Sequence, residues 1–324
     1  TVPFEQLPKQ RNPARGFIAT ANNKMVAQNR GIYFGNAWEP DSRIQRITEL
    51  LTTKEKFGVE DFERMHIDVQ SYHAKKMLMH INPILKRASL SEKERHIQKL
   101  LESWDCNESW ESVQATIYNM MFVHLLKNSL EDECGSEILN EFLYWTNFPI
   151  RAMENLITMP ASDWWDDKST TQRENLDMIV VKSFRNTIQE LQNEMGEGPG
   201  FWEWGLLHQI TFTHPLGQQA PMDRIFNDGP YPIGGSANSI AKAEFDFTQP
   251  YRVDAGASMR QIVDLANPDR ALSVIAGGQS GQPFSDHYSD QAQLWVDGKY
   301  KIVRMARSEI EQSATSMQIF RPKE

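Results

Sequence analysis

The change in hydrophobic period along the chain constrains the fold more than any single motif. From residue 42 to about 195, apolar side chains recur at three- and four-residue steps, the spacing that lines one face of a helix. Phe62, Met65, Val69 and Tyr72 lead on to Ile81 and Leu85 and predict one helix across 62–85. A second carries Ile97, Leu100, Leu101 and Trp104 behind Ser91-Glu-Lys-Glu94, which has the spacing of a capping box. A third carries Trp110, Val113, Ile117, Met120 and Met121. A fourth is predicted to start at Thr171–Glu174, to run through Leu176, Ile179, Val180, Phe184, Ile188 and Leu191, and to stop at Gly196. On either side the helical period is lost. Residues 1–35 read as turns followed by a buried strand within RNPARGFIATANNKMV. Residues 196–240, rich in Gly and Pro, read as long ordered loops. Residues 250–305 read as short strands, YRVDAG, MRQIVDLA, LSVIAGG and QLWVDGKYKIV, the last with an Asp-Gly turn. Strand, helices, strand is an α+β order in which a helical insertion divides one sheet system. The expected segments are 1–40 (core strands), 41–195 (helical insertion) and 196–324 (loops and returning core strands), all within one domain.

Composition removes several function classes. At 324 residues with 40% hydrophobic content, the chain can bury one large core or two smaller ones. No apolar run reaches the roughly 18 residues that a membrane-spanning helix needs. Lys and Arg number 34 against 43 Asp and Glu, a net charge of -9. That balance argues against a nucleic-acid partner, whose affinity rests on clustered cations. Cys106 and Cys134 are too few for a disulfide framework or a four-thiolate zinc site. Whether they pair is left open by the sequence.

Several constellations carry both a chemical and a plain reading. His66, His73 and His80 recur every seven residues on the predicted helix. Seven residues rise about 10 Å, whereas two ligands of one metal need i,i+4 spacing, so a polar helix face is the expectation. His124 sits among apolar neighbours and reads as a core or boundary histidine. Trp165-Asp166-Asp167 reads as a loop leading into the helix expected from Thr171, its acids favourable near a positive helix end. Gly234-Gly235 and Gly277-Gly278 lack any phosphate-loop pattern and read as turn glycines. Ser280, His287 and Asp290 have the residue types of a triad, but three residues within one loop rarely meet in triad geometry. Thr1 has the type of an N-terminal nucleophile. Val2-Pro3 does not extend a strand ladder, so Thr1 is read as the point where processing or the chain begins.

The segment PFEQLPKQRNPARGFIATANN at 3–23 resembles the stretch of the penicillin acylase (penicillin amidase) family that leads into its oxyanion-hole asparagine. The resemblance continues in order through GNAWEPDSRIQRITELL, WWDDKSTTQRE and GFWEWGLLHQITFTHPLG. It closes with GASMRQIVDLANPDRALSVIAGGQSGQPFSDHYSDQAQLWVDGKY. It covers nearly the whole chain, least well over 58–160. The resemblance implies an N-terminal nucleophile hydrolase: a four-layer αββα sandwich whose precursor cleaves itself to expose a serine that attacks linear amides. The family's nucleophile lies far upstream of this asparagine, and here only residues 1–21 precede Asn22. The chain therefore resembles the C-terminal portion of the large subunit. The resemblance implies a companion chain or segment carrying the serine, a small subunit, a small-molecule amide substrate and a periplasmic or secreted location.

Three residues carry roles over from the resemblance. Asn22 matches the asparagine whose amide donates to the tetrahedral oxyanion, a role that suits a neutral donor. Arg43, in DSRIQRI, matches an arginine that organises the nucleophile and the asparagine. Asp264, in RQIVDL, stands where some members carry an acid that orients a histidine beside the nucleophile; its plain reading is an ion pair with Arg260. Many members bind a structural calcium through an acid ahead of the arginine, but no Asp or Glu stands between Asn22 and Glu39. No cofactor is required for the chemistry. The competing readings are a noncatalytic acylase-like scaffold, and a helical adaptor that would leave the asparagine motif and the C-terminal strands unexplained.

Overall fold

The computed structural model describes residues 2–26 and 32–322. Its helices are α1 (Ser42–Leu51), α2 (Val59–His66), α3 (Tyr72–Arg87), α4 (Glu92–Glu102), α5 (Val113–Tyr144) and α6 (Asn147–Leu156). They continue with α7 (Leu176–Met195), the single turns α8 (Trp204–Leu207) and α9 (Asp223–Phe226), α10 (Ala292–Val296) and α11 (Arg307–Ser313). The strands are β1 (Gln209–Phe212), β2 (Asp228–Pro232), β3 (Ala243–Glu244), β4 (Ala255–Gly256), β5 (Met259–Ile262), β6 (Ala271–Ile275) and β7 (Lys301–Val303). The class is α+β, as the change of period predicts. The chain divides into two compact units: residues 1–55, 67–211 and 229–256 form the first, and 56–66, 212–228 and 257–324 the second.

The first unit is built around α5. Every residue from Ala115 to Val123 is buried, so this helix is enclosed on all sides and needs no amphipathic stripe. The apolar faces of α3, α4, α6 and α7 pack around it, with Met77, Ile81, Leu101, Phe184 and Leu191 fully buried. Three indoles are also fully buried, and each donates its N–H: Trp165 to Met159 O at 2.9 Å, Trp202 to Gly196 O at 2.9 Å and Trp204 to Gly235 O at 3.0 Å. A buried donor left unpaired would cost about 1–3 kcal/mol. Past Leu130 the burial thins, and Gly135 leaves helical geometry at φ +72°, a conformation that glycine adopts without a Cβ clash.

Local chemistry explains where the predicted helices begin. The capping box at Ser91/Glu94 is formed in both directions. The single helix expected over 62–85 is two helices. Ser71 accepts from Ala74 N at 3.2 Å and caps α3, while Gln70 bridges to Asn107, so the backbone at 67–71 is committed elsewhere. The helix expected from Thr171 starts at Leu176, because Asn175 rather than Thr171 accepts from the third helical N–H. Its stop at Gly196, φ +100°, falls where expected.

Residues 2–26 are largely extended or turn-like and make one bridge, Asn23 with Glu39, in place of the expected strand. Pro3, Pro8 and Pro13 lack the N–H that a ladder requires. Thr1 lies outside the described residues.

The second unit holds an antiparallel sheet in the order β5-β6-β7. Arg260 pairs with Val274, and Leu272 with Ile302. QLWV, expected as a strand, is helix α10: Ala292 and Trp295 are buried three residues apart, which is helical and not strand spacing. Gly298, at φ +67°, then turns the chain into β7.

Candidate active site

The site is assembled where the irregular segment before α1 meets the first turn of that helix. Ala21 is buried, and Asn22 follows it at φ +60° with its side chain exposed. Asparagine is among the few non-glycine residues that adopt this left-handed conformation readily. The two neighbouring asparagines divide the work. Asn23 is structural: its Oδ1 accepts from Ala21 N at 3.1 Å, and its backbone bridges to Glu39. Glu39 N in turn donates to Asn22 O at 3.1 Å. The Asn22 side chain is thereby left to project.

Arg43 reaches back from α1. Its Nη2 donates to Ala21 O at 2.9 Å and to Asn22 Oδ1 at 3.1 Å. An amide has one acceptor end and one donor end. With the guanidinium holding Oδ1, Nδ2 and its two hydrogens are directed away from Arg43. Helix α1 is itself anchored. Three residues after Arg43, Arg46 grips Asp68 with Nε to Oδ1 at 3.0 Å and Nη2 to Oδ2 at 2.6 Å. Ser42 Oγ donates to the buried Asn238 Oδ1 at 3.1 Å.

Burial lowers the Arg43 pKa, and the charges of Glu39 and Glu244 oppose that shift. Lys242 stands between those two acids, 3.3 Å from Glu39 Oε1 and ion-paired to Glu244. This cluster is invisible in the sequence, since Lys242 lies some two hundred residues from Glu39 along the chain and no periodicity links them.

The structure brings Asn22 and Arg43 together in the first unit; Asp264 belongs to the second. Asp264 is exposed just beyond β5, where its Oδ1 accepts from Ala266 N at 2.9 Å. Arg260 donates to Trp295 O at 2.7 Å and lies over the Trp295 ring at 4.3 Å, a packing role in place of the ion pair weighed for Asp264.

The remaining candidates resolve into structural parts. His66 Nδ1 lies 2.7 Å from Tyr300 OH. His73, expected on a polar face, is buried with Nδ1 3.0 Å from Glu154 Oε1, and Lys76 Nζ lies 2.8 Å from the other oxygen. His124 Nε2 lies 2.8 Å from Glu190 Oε2 at the edge of the core. Asp166 Oδ1 accepts from Glu174 N, and Asp167 is pulled down to about 2, chiefly by Lys182. Gly235 and Gly277 have positive φ, as turn glycines do. Ser280 Oγ accepts from Gln282 N at 3.1 Å, while His287 Nδ1 lies 3.3 Å from Asp290 Oδ2, so two of the three residues meet and the hydroxyl is held elsewhere. Cys106 and Cys134 are both free thiols. Among the described residues no group of three or more His, Cys, Asp or Glu side chains is placed to hold a metal ion, and no helix is long and apolar enough to cross a membrane.

The penicillin amidase family model matches residues 1–312. The chain belongs to the penicillin amidase family. This penicillin amidase family chain is 25% identical over 321 residues to the acyl-homoserine lactone acylase QuiP of Pseudomonas aeruginosa, covering 90% of the chain and 38% of that relative. It is 28% identical over 302 residues to the penicillin acylase 2 proenzyme of a Pseudomonas species, covering 91% of the chain and 37% of that relative. It thus spans less than two-fifths of the length of these curated relatives. Among solved structures it is similar to a thermostable penicillin G acylase from Alcaligenes faecalis, with a TM-score of 0.64 and 15% identity over 100% of the chain and 60% of that structure. The α+β fold is that of penicillin G acylase.

Proposed function

We propose that this chain supplies the oxyanion-stabilising arm of an acylase that hydrolyses linear amides. The observation that carries the reading is the double donation from Arg43 to Ala21 O and Asn22 Oδ1, which fixes the Asn22 amide with its N–H groups outward. When a serine oxygen adds to an amide carbonyl, the carbonyl oxygen gains negative charge. A donor already in place stabilises that charge with no reorganisation, and one such donor contributes roughly 3–4 kcal/mol to the transition state. Asn22 suits the task because it donates without titrating, and Arg43 acts on orientation through Asn22.

In this reading the serine comes from a segment or companion chain outside residues 1–324, with a small subunit completing the assembly. Asp264 is assigned to orient a histidine supplied from that same segment. The chemistry needs no cofactor. The protein is made as a secreted precursor, places the mature assembly in the periplasm or outside the cell, and acts on a small-molecule acyl amide. Support comes from the family match and from relatives named as acylases. The test is purification of the assembled protein, N-terminal sequencing of every chain, and turnover of penicillin G and N-decanoyl-homoserine lactone. A companion beginning with serine, together with amide hydrolysis abolished when that serine is replaced by alanine, is the expected result. An assembly with no N-terminal serine and no hydrolysis refutes the reading in favour of a binding scaffold.

A further inference from the structure

We infer that Lys242 is a positioning residue for the oxyanion arm, and that it works by keeping the Glu39 and Glu244 carboxylates away from Arg43. The inference rests on the reading of Asn22 as oxyanion donor and goes one layer behind it. The Arg43 guanidinium is spent on two neutral oxygens, Ala21 O and Asn22 Oδ1. Glu39 stands four residues before Arg43 with its N–H on Asn22 O at 3.1 Å, Lys242 links it to Glu244, and the charges of both acids act on the guanidinium. A carboxylate is the stronger partner for a guanidinium, because it brings a full opposite charge and can accept two parallel N–H bonds at once. Left to themselves, Glu39 or Glu244 would draw Arg43 into such a pair and strip it from the amide.

Lys242 prevents this. Its ammonium lies 3.3 Å from Glu39 Oε1 and is ion-paired to Glu244, engaging both acids at once. Both acids and the lysine are mostly buried, so the pairing is screened less than a surface pair would be. The backbone holds the three in place. Glu39 is pinned by its N–H to Asn22 O. Glu244 lies on β3, opposite Ala255 of β4, and its carbonyl accepts from Asp254 N at 2.9 Å. The result is an alternation of charge in which the acids still ease the burial of Arg43 from a distance while the guanidinium stays on the amide.

The experiment uses the assembled protein, with the 4-nitroanilides of phenylacetic and decanoic acid as probes. Lys242→Met should lower kcat about tenfold, a fraction of what losing a preorganised donor costs, and should leave KM within about twofold. Lys242→Arg, which keeps the charge, should stay near wild type. Adding Glu39→Gln and Glu244→Gln to Lys242→Met should restore most of the lost kcat, because no carboxylate then remains to capture Arg43. A role in stability alone predicts no such rescue. The crystal structure of the Lys242→Met assembly gives a readout independent of turnover: Arg43 should contact a carboxylate, and its bond to Asn22 Oδ1 should be broken. Unchanged kcat, a loss not rescued by the carboxamides, or Arg43 still on Asn22 overturns the inference. Asn22→Ala separates the two layers: if it keeps wild-type kcat the oxyanion reading fails, whereas a damaging Asn22→Ala beside a silent Lys242→Met refutes the role of Lys242 alone.

Discussion

Glu108 gives the first unit a pH dependence whose sign and size follow from its surroundings. Its side chain is buried, with Asn119 Nδ2 at 3.4 Å and the hydroxyls of Ser236 and Ser71 as neutral partners. Its own backbone ties two segments, donating to Val69 O at 3.0 Å and accepting from Gly235 N at 2.7 Å. Burial pushes the carboxyl up to about 7 from 4.5. In the unfolded chain the proton leaves near 4.5, and in the folded protein near 7. Between these values the folded state binds more protons, so its stability falls as pH rises. Above pH 7 both states are ionised and the full cost is present, about 3 kcal/mol at 1.36 kcal/mol per unit of pKa. Below pH 4.5 both are protonated and the cost vanishes. Glu108→Gln keeps the shape and the hydrogen-bonding capacity and cannot ionise. Relative to wild type, the variant should be close to neutral at pH 4.5 and more stable by about 3 kcal/mol at pH 8. Urea unfolding of the assembled protein and the variant, at half-unit steps from pH 4.5 to 8, measures the difference while other titrations cancel. Parallel stability profiles would refute the reasoning.

Asn22→Ala should lower kcat by about two to three orders of magnitude with a much smaller change in KM, and Asn22→Asp should be at least as damaging, because a carboxylate cannot donate and would repel the oxyanion; steady-state kinetics on an amide that the assembly turns over decides both. Ser280→Ala should leave kcat within about twofold, since removing a hydroxyl that caps a turn touches no step of the chemistry, and a loss of a hundredfold would reinstate the triad. Glu154→Leu should destabilise the fold by about 1–3 kcal/mol, because it leaves the buried His73 Nδ1 without its hydrogen-bond partner, a change read from calorimetric melting. Gly235→Ala should lower stability by about 1–3 kcal/mol through strain at φ +88°, and its new Cβ would stand 2.5 Å from Ala241 O; an unchanged melting temperature would show that this turn relaxes freely.

Features set by near neighbours were legible in the sequence. The Ser91/Glu94 box, the stop at Gly196 and the buried rows of α4 and α7 depend on residues three or four apart, and reading a short window suffices for them. The break at 67–71 was not legible, because the apolar spacing runs straight across it and the interruption comes from Ser71 as a cap and from Asn107, far along the chain. QLWV reads as a strand yet folds as α10, because four residues are too short to separate period 2 from 3.6 by composition alone. At the site, motif resemblance points to Asn22 and Arg43 separately, yet the amide's orientation is set by the fold, which brings Arg43 Nη2 back onto Asn22 Oδ1. The cluster of Glu39, Lys242 and Glu244 was out of reach, since charged residues scattered in sequence read as solvated surface until the fold brings them together.

If Asn22 is the oxyanion donor proposed above, its backbone narrows what evolution or an engineer can place there. At φ +60°, β-branched side chains are strongly disfavoured, which removes threonine as a hydroxyl donor. Glycine and aspartate tolerate the geometry, but the first offers no side chain and the second no proton at neutral pH. Histidine tolerates it too, but its charge changes near neutrality, so its donor pattern would drift with the medium. Glutamine keeps the amide but lengthens the arm, moving the group off the Arg43 nitrogen that orients it. One filter acts on torsion and the other on proton donation, and asparagine is the residue that passes both. In that role the position should be unusually intolerant of substitution for an exposed side chain in an irregular segment, a place where sequence ordinarily drifts.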